Sequence, residues 1–234
     1  MPAFLLLYQK KKQSQRRRTK MPIDPTNTSI ILVDIQADFT EVKNGNLKVP
    51  GTDQEYIKVV EQALRILKNK GFLVIATQDW HPPNHISFFT NHPQRKPFEE
   101  IVIGQRRQTL WPPHCMQNTE GAKIIIREEL IDRVVKKGQN PLYDSYSAFQ
   151  DDGGFETELG SILKTLKIQE LVVFGLAIDY CVFSTVKDAI KRGYPVHLIL
   201  ELSRGVDPKT TEEAIEQMKN LGVHIYDRLS DFLK

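Results

Sequence analysis

The chain has 234 residues, 40% hydrophobic and 26% charged, with two cysteines. This is the profile of an ordinary soluble globular protein with enough chain for a full core, and two cysteines exclude a disulfide framework and favour a reducing compartment. The formal net charge of +3 is local: residues 1–23 hold seven of the basic residues and no acid, leaving 25 basic against 29 acidic residues, a net of −4, in the body. A mildly acidic body gives no reason to expect a nucleic-acid surface.

The basic segment 1–23 opens with Phe4-Leu5-Leu6-Leu7-Tyr8, far too short to span a membrane, and its charges follow the apolar run rather than precede it, the reverse of a secretory signal. It is expected to be a disordered extension, or upstream sequence before a start at Met21. The protein is then cytoplasmic; an acid-free basic segment leaves organellar targeting as the alternative. Residues 24–234 are expected to form one domain.

Ile30-Ile31-Leu32-Val33 is an unbroken apolar run ending in Asp34 and predicts a buried strand of parallel type. From Asp53 to Lys70, Ile57, Val60, Ala63, Leu64 and Leu67 recur at helical spacing, with Thr52 or Asp53 as cap and Gly71 as stop. Residues 72–77 predict a second strand. The stretch from His81 to Gln117 has six prolines, four of the six histidines and no periodicity, which suggests a functional loop region. A short strand follows near Arg133-Val134-Val135, then a helix over Phe155–Leu166 and a strand at Leu171-Val172-Val173-Phe174. A helix from Cys181 to Lys191, a strand over Pro195–Leu200, a helix over Thr210–Asn220 and a strand at 222–226 complete the pattern. Strands alternating with helices imply a parallel sheet covered on both faces, with ligands beyond the carboxyl ends of its strands.

Four reactive side chains fall on that rim: Asp34 after the first strand, Asp79 after the second, Lys137 after the third, Cys181 after the fourth. A thiol in the first turn of a helix faces unpaired N–H groups and the positive end of the dipole, which lower its pKa. Taken alone, each has a commoner structural use: a small core residue for Cys181, a cap for Asp34, a surface charge for Lys137. Together they suit nucleophilic catalysis, with Asp34 moving the thiol proton and Lys137 stabilising developing anions. In the loop, Asp79 and His81 at spacing two point to one side of an extended segment, and His114 is the best third ligand. A carboxylate with two imidazoles suits zinc or iron with positions left for water or substrate. His85 and His92 compete for the same role.

These segments together resemble the nicotinamidases, a branch of the isochorismatase-like cysteine hydrolase superfamily. The matches are residues 33–39 (Val33-Asp34-Ile35-Gln36-Ala37-Asp38-Phe39), Thr77-Gln78-Asp79-Trp80-His81-Pro82, Trp111-Pro112-Pro113-His114-Cys115, Lys137-Gly138, residues 144–149 and residues 175–182, in family order over roughly residues 30–230. The Cys181 segment carries the superfamily; the Asp-Trp-His and Trp-Pro-x-His-Cys pair carries the nicotinamidase branch. The resemblance implies a three-layer α/β/α fold, isochorismatase-like and Rossmann-like, with a mostly parallel sheet. It implies Cys181 as nucleophile, Asp34 as general acid/base and Lys137 as third member of the triad. Asp79, His81 and His114 would bind a divalent metal, zinc first, with Fe2+ or Mn2+ as alternatives. A cis peptide would precede Ala177, and the N–H groups of Ala177 and Cys181 would form the oxyanion hole. Phe39, Trp111 and Tyr146 would wall a pocket for a flat heteroaromatic ring. Two departures, Asn46 for a common serine and Glu201 for a common aspartate, touch none of these roles.

The implied reaction is hydrolysis of nicotinamide to nicotinate and ammonia through a Cys thioester, in NAD salvage, with pyrazinamide as a second substrate. The partner is then a small molecule rather than nucleic acid or membrane, and a homo-oligomer stays open. The rival within the superfamily is an amidohydrolase of carbamoyl or ureido substrates. A vinyl-ether-cleaving isochorismatase has no use for the Asp-Trp-His site. Outside it stand a metallohydrolase with a structural Cys181 and a non-catalytic binding or scaffolding protein on the same fold.

Overall fold

In the computed structural model, strand β1 (Thr28–Val33) is buried along its whole length. Burial on both faces is why it reads as a continuous apolar run instead of an alternating one. The structure describes residues 23–234; the extension expected over residues 1–23 lies outside them, apart from Ile23, which packs on the core.

Strand β1 is central in a six-stranded sheet. On one side lie β2 (Leu73–Asp79) and β5 (Arg133–Lys137); on the other lie β6 (Glu170–Gly175), β7 (Val196–Ile199) and β8 (His224–Tyr226). The order is β5-β2-β1-β6-β7-β8, and all five pairings are parallel. Side chains alternate between the two faces. Ile30, Leu32, Val74, Ala76, Val172 and Phe174 meet α1 (Gln54–Asn69) and α5 (Leu229–Phe232). Ile31, Val33, Ile75, Leu171 and Val173 meet α2 (Leu159–Thr165), α3 (Phe183–Lys191) and α4 (Pro208–Asn220). The result is the expected three-layer α/β/α sandwich, with caps where side-chain chemistry put them: Asp53 accepts from Glu55 and Tyr56 N–H, and Asp207 from Lys209 and Thr210 N–H. Among the described residues, no helix is long and apolar enough to cross a membrane.

The chain leaves β1 outward to β2 and β5, then returns to the other side at β6, so the topological switch point lies between β1 and β6. At their carboxyl ends the two strands approach closely: a Cβ on Gly175, whose φ is +133°, would lie 2.2 Å from the carbonyl oxygen of Val33. Only glycine allows that approach.

Four expectations need correction. Residues 81–117 are not all loop, because β3 (Glu100–Ile103) and β4 (Arg106–Thr109) form an antiparallel hairpin about Gly104. Strands of four residues are too short for periodicity to stand out. The helix expected from Phe155 begins at Leu159: Phe155 and Gly153 N–H donate to Asp151 Oδ1 and Thr157 N–H to the Phe149 carbonyl, so turn bonds hold that backbone. The short α5 at the carboxyl terminus was not foreseen. Finally, Cys181 does not open an α-helix. It sits inside a π-helical turn, Ile178–Val182, that precedes α3, and such wide turns recur at functional sites.

Candidate active site

Asp34 leaves β1 at a φ of +48°, a left-handed conformation rare for a residue other than glycine. Asp34 Oδ1 accepts from Thr77 Oγ1 at 2.6 Å on β2, and the Asp34 N–H donates to the same hydroxyl oxygen at 3.1 Å. Asp34 Oδ2 lies 2.9 Å from the ammonium of Lys137, at the end of β5.

The Lys137 ammonium is fully buried and donates to three groups, Asp79 Oδ1, the Ser145 carbonyl at 2.7 Å and Cys181 Sγ at 3.5 Å, while Asp34 faces it as an ion pair. Asp34, Asp79 and Cys181 present a set of donor atoms that a metal ion could bridge, but the cation among them is this lysine. Burial works against its charge, yet the carboxylates of Asp34 and Asp79 outweigh it and hold its pKa well above the ordinary range.

Those charges set the resting protonation of the thiol. Burial pushes the Cys181 thiol well above its ordinary value; Lys137 opposes the rise, while Asp34 and Asp79 add to it. The lowered pKa expected from a helix terminus is therefore not found, because desolvation and two carboxylates exceed what one lysine and one turn supply. Burial likewise raises Asp34 above the usual carboxylate range, against the pull of Lys137. A neutral thiol beside a carboxyl group with raised proton affinity is an arrangement for moving a proton between them.

Asp79, His81 and His114 converge as expected, their ligand atoms within 4.8 Å of one another and all three buried. The hydrogen bonds decide which imidazole nitrogens face inward. His81 Nδ1 pairs with the Gly138 carbonyl at 2.8 Å and His114 Nδ1 with the Pro112 carbonyl at 2.7 Å. Each pairing requires an N–H at Nδ1, which in the neutral ring leaves Nε2 as a lone-pair donor. His81 Nε2 lies 3.6 Å from Asp79 Oδ2. Burial lowers the His114 pKa to about 4, which keeps it neutral, and burial opposes protonation of His81 less than Asp79 favours it. Two imidazole nitrogens and a carboxylate oxygen, dry and pre-oriented, fit a divalent metal. His85 and His92 are not competitors: His85 pairs with Ser87 Oγ and the Tyr143 carbonyl, and His92 Nε2 with the Ile86 carbonyl.

Members of both groups border one cavity of about 240 Å3, lined among others by Cys181, Ala177, Ser145, Asp79 and His114. The three expected aromatic walls are present. Phe39 packs at 5.4 Å from the His114 ring, and Trp111 Nε1 donates to the Tyr146 hydroxyl at 2.9 Å. Two aromatic residues were missed, Tyr180 and Phe98; Tyr180 stands edge-on to Trp111 at 5.3 Å. Tyr180 neighbours Cys181 in sequence, but a π turn hides which way it faces, and Phe98 lies in the segment without periodicity. The expected cis peptide is present between Leu176 and Ala177.

Sequence reasoning also passed over the residues that hold the site in place. The Gln36 side chain clamps Asp79 from both ends, donating to its carbonyl and accepting from its N–H, each at 2.8 Å. Asp38 accepts from the N–H of Cys115 at 2.7 Å and so fixes the residue after His114. Both belong to the segment after β1 that carried the resemblance, where a polar residue gives no sign of a backbone partner far along the chain. Asp144, buried, accepts from Gln108 and adds negative charge near His81.

A parallel sheet that delivers a thiol, a carboxylate and an ammonium to one cavity at its switch point defines an α/β enzyme of the hydrolase class. The isochorismatase domain matches residues 28–228, and the chain belongs to that family. A nicotinamidase of Escherichia coli (strain K12) is 41% identical over 203 residues, covering 85% of this chain and 93% of that one. Among solved structures, a nicotinamidase/pyrazinamidase of Acinetobacter baumanii superposes with a TM-score of 0.82 at 35% identity, covering 90% of this chain and 100% of that one. A pyrazinamidase of Pyrococcus horikoshii, in complex with zinc, superposes with a TM-score of 0.71 at 34% identity, covering 86% and 98%.

Proposed function

We propose that the protein hydrolyses nicotinamide to nicotinate and ammonia through a thioester on Cys181, with pyrazinamide as a second substrate. The carrying observation is the Lys137 ammonium, bonded at once to Cys181, to Asp34 and to a carboxylate of the three-ligand group. Similarity to nicotinamidases over most of the chain supports the same reading.

In this reading the substrate ring lies among Phe39, Trp111 and Tyr146, which turns an encounter into a positioned attack. Asp79, His81 and His114 would hold a divalent metal, zinc first, which would supply Lewis acidity to the site when bound. Asp34 takes the thiol proton as the sulfur adds to the carboxamide carbon. The N–H groups of Ala177 and Cys181 bind the oxyanion, a contribution of about 3 kcal/mol per donor in comparable sites. Lys137 keeps the cost of that negative charge low. Asp34 then gives the proton to the nitrogen, the C–N bond breaks, and ammonia leaves. In the second half Asp34 removes a proton from water and the hydroxide adds to the thioester; the C–S bond then breaks as Asp34 returns that proton to sulfur, and nicotinate leaves with its acid proton lost to solvent.

The test is ammonia release from a panel of amides by the metal-loaded protein. Nicotinamide and pyrazinamide are expected to be turned over fastest. Preference for a carbamoyl or ureido substrate would replace this reading with the rival one.

A further inference from the structure

Among the described residues, three buried side-chain atoms have no hydrogen-bond partner: Asp34 Oδ2, Glu99 Oε2 and Ser145 Oγ. Asp34 Oδ2 still has the Lys137 ammonium at 2.9 Å, and Glu99 Oε2 has the Arg95 guanidinium at 3.9 Å. Ser145 Oγ has neither. A buried hydroxyl left unpaired opposes folding, so a native chain that keeps one needs a reason outside its own fold.

The rest of Ser145 is firmly held. Its N–H donates to Asp144 Oδ1 at 2.9 Å, its carbonyl accepts from Lys137 Nζ at 2.7 Å, and the residue is 2% exposed. It also lines the cavity that Cys181 lines. Because one lysine ammonium touches both the Ser145 carbonyl and Cys181 Sγ, Ser145 stands at the sulfur end of that cavity. An amide attacked by Cys181 must place its carbonyl carbon there. The amide oxygen has two backbone donors in the proposed mechanism; of the two N–H groups on the amide nitrogen, Asp34, which exchanges a proton with that nitrogen, faces one, and the other still needs an acceptor. A hydroxyl oxygen accepts such a bond.

We infer that Ser145 Oγ accepts a hydrogen bond from the nitrogen of the substrate's primary carboxamide, turning the amide over Cys181 and holding the nitrogen as it departs. This rests on the amide-hydrolase reading above. Ser145 then contacts the reacting group and joins the catalytic residues, and its unpaired state in the protein alone is a stability cost tied to activity.

Ser145→Ala separates this role from a structural one. With wild type and variant both metal-loaded, kcat/KM for nicotinamide is expected to fall at least about tenfold, a difference of about 1.4 kcal/mol in transition-state binding, while the thermal midpoint stays level or rises. Activity within about twofold of wild type overturns the inference. So does a loss of activity accompanied by a lowered midpoint, which would make the hydroxyl structural. Wild type that releases no ammonia from nicotinamide would instead remove the substrate assignment.

Discussion

The carboxylate of Asp79 is bonded to the ammonium of Lys137 with both side chains buried, and the same carboxylate faces His81 from its other oxygen. One residue therefore belongs to two assemblies, the lysine-centred group around Cys181 and the three-ligand group. Burial works against the Asp79 charge, but Lys137, His81 and His114 outweigh it and hold its pKa well below the usual carboxylate range.

That sharing makes Lys137 the residue whose loss damages most. Lys137→Met leaves Asp34 without an ion-pair partner and Asp79 with only its two imidazoles, a loss of about 3–5 kcal/mol of stability by analogy with broken buried pairs. Urea unfolding should register it, with ammonia release falling to background in the fraction that stays folded. Stability unchanged in the variant would mean that the ion pairs do not hold the site together.

Gly138 supports the metal ligands by being small. Its φ is +67°, and a Cβ there would meet His81 Cε1 at 2.3 Å, while its own carbonyl orients His81 through Nδ1. Gly138→Ala should displace the imidazole and weaken metal affinity by about 10–100-fold, the usual scale for disturbed supporting contacts. Metal titration of the variant, followed by intrinsic fluorescence or calorimetry, measures this without an activity assay. Wild-type affinity would show that the ring position is not set by this contact.

Activity should fall on the acid side with the protonation of Asp34. As proton acceptor Asp34 must start ionised, and its pKa lies above the ordinary 3.8 because burial disfavours the charge more than Lys137 favours it. The ionised fraction thus declines at a pH where an exposed aspartate would still be charged, and the acid limb of kcat/KM belongs above pH 3.8. Asp34→Asn should be inactive at every pH. A limb lying below the ordinary aspartate value, or an active Asn variant, would point to a different base.

Much of this was legible in sequence because parallel strands buried on both faces read as apolar runs, and the residues just past them fall on one rim. Asp34, Asp79, Lys137 and Cys181 were found that way. The loop's residues already put His114 forward as third ligand, whereas the family resemblance, not spacing, singled out the aromatic walls. What stayed hidden depends on contacts between distant segments: Gln36 gripping the Asp79 backbone, Asp38 gripping Cys115, and Ser145 buried without a partner. The thiol pKa was misjudged for a related reason. A helix terminus is visible in sequence, whereas full burial beside two carboxylates is not.

The central claim, that the sulfur of Cys181 attacks the amide, is tested most directly by ammonia release from nicotinamide by the metal-loaded wild type and Cys181→Ala. The account predicts turnover by wild type and a rate at least about a thousandfold lower in the variant, the scale seen when a covalent nucleophile is removed, with nicotinate still bound. Hydrolysis by Cys181→Ala at the wild-type rate would contradict the thioester mechanism.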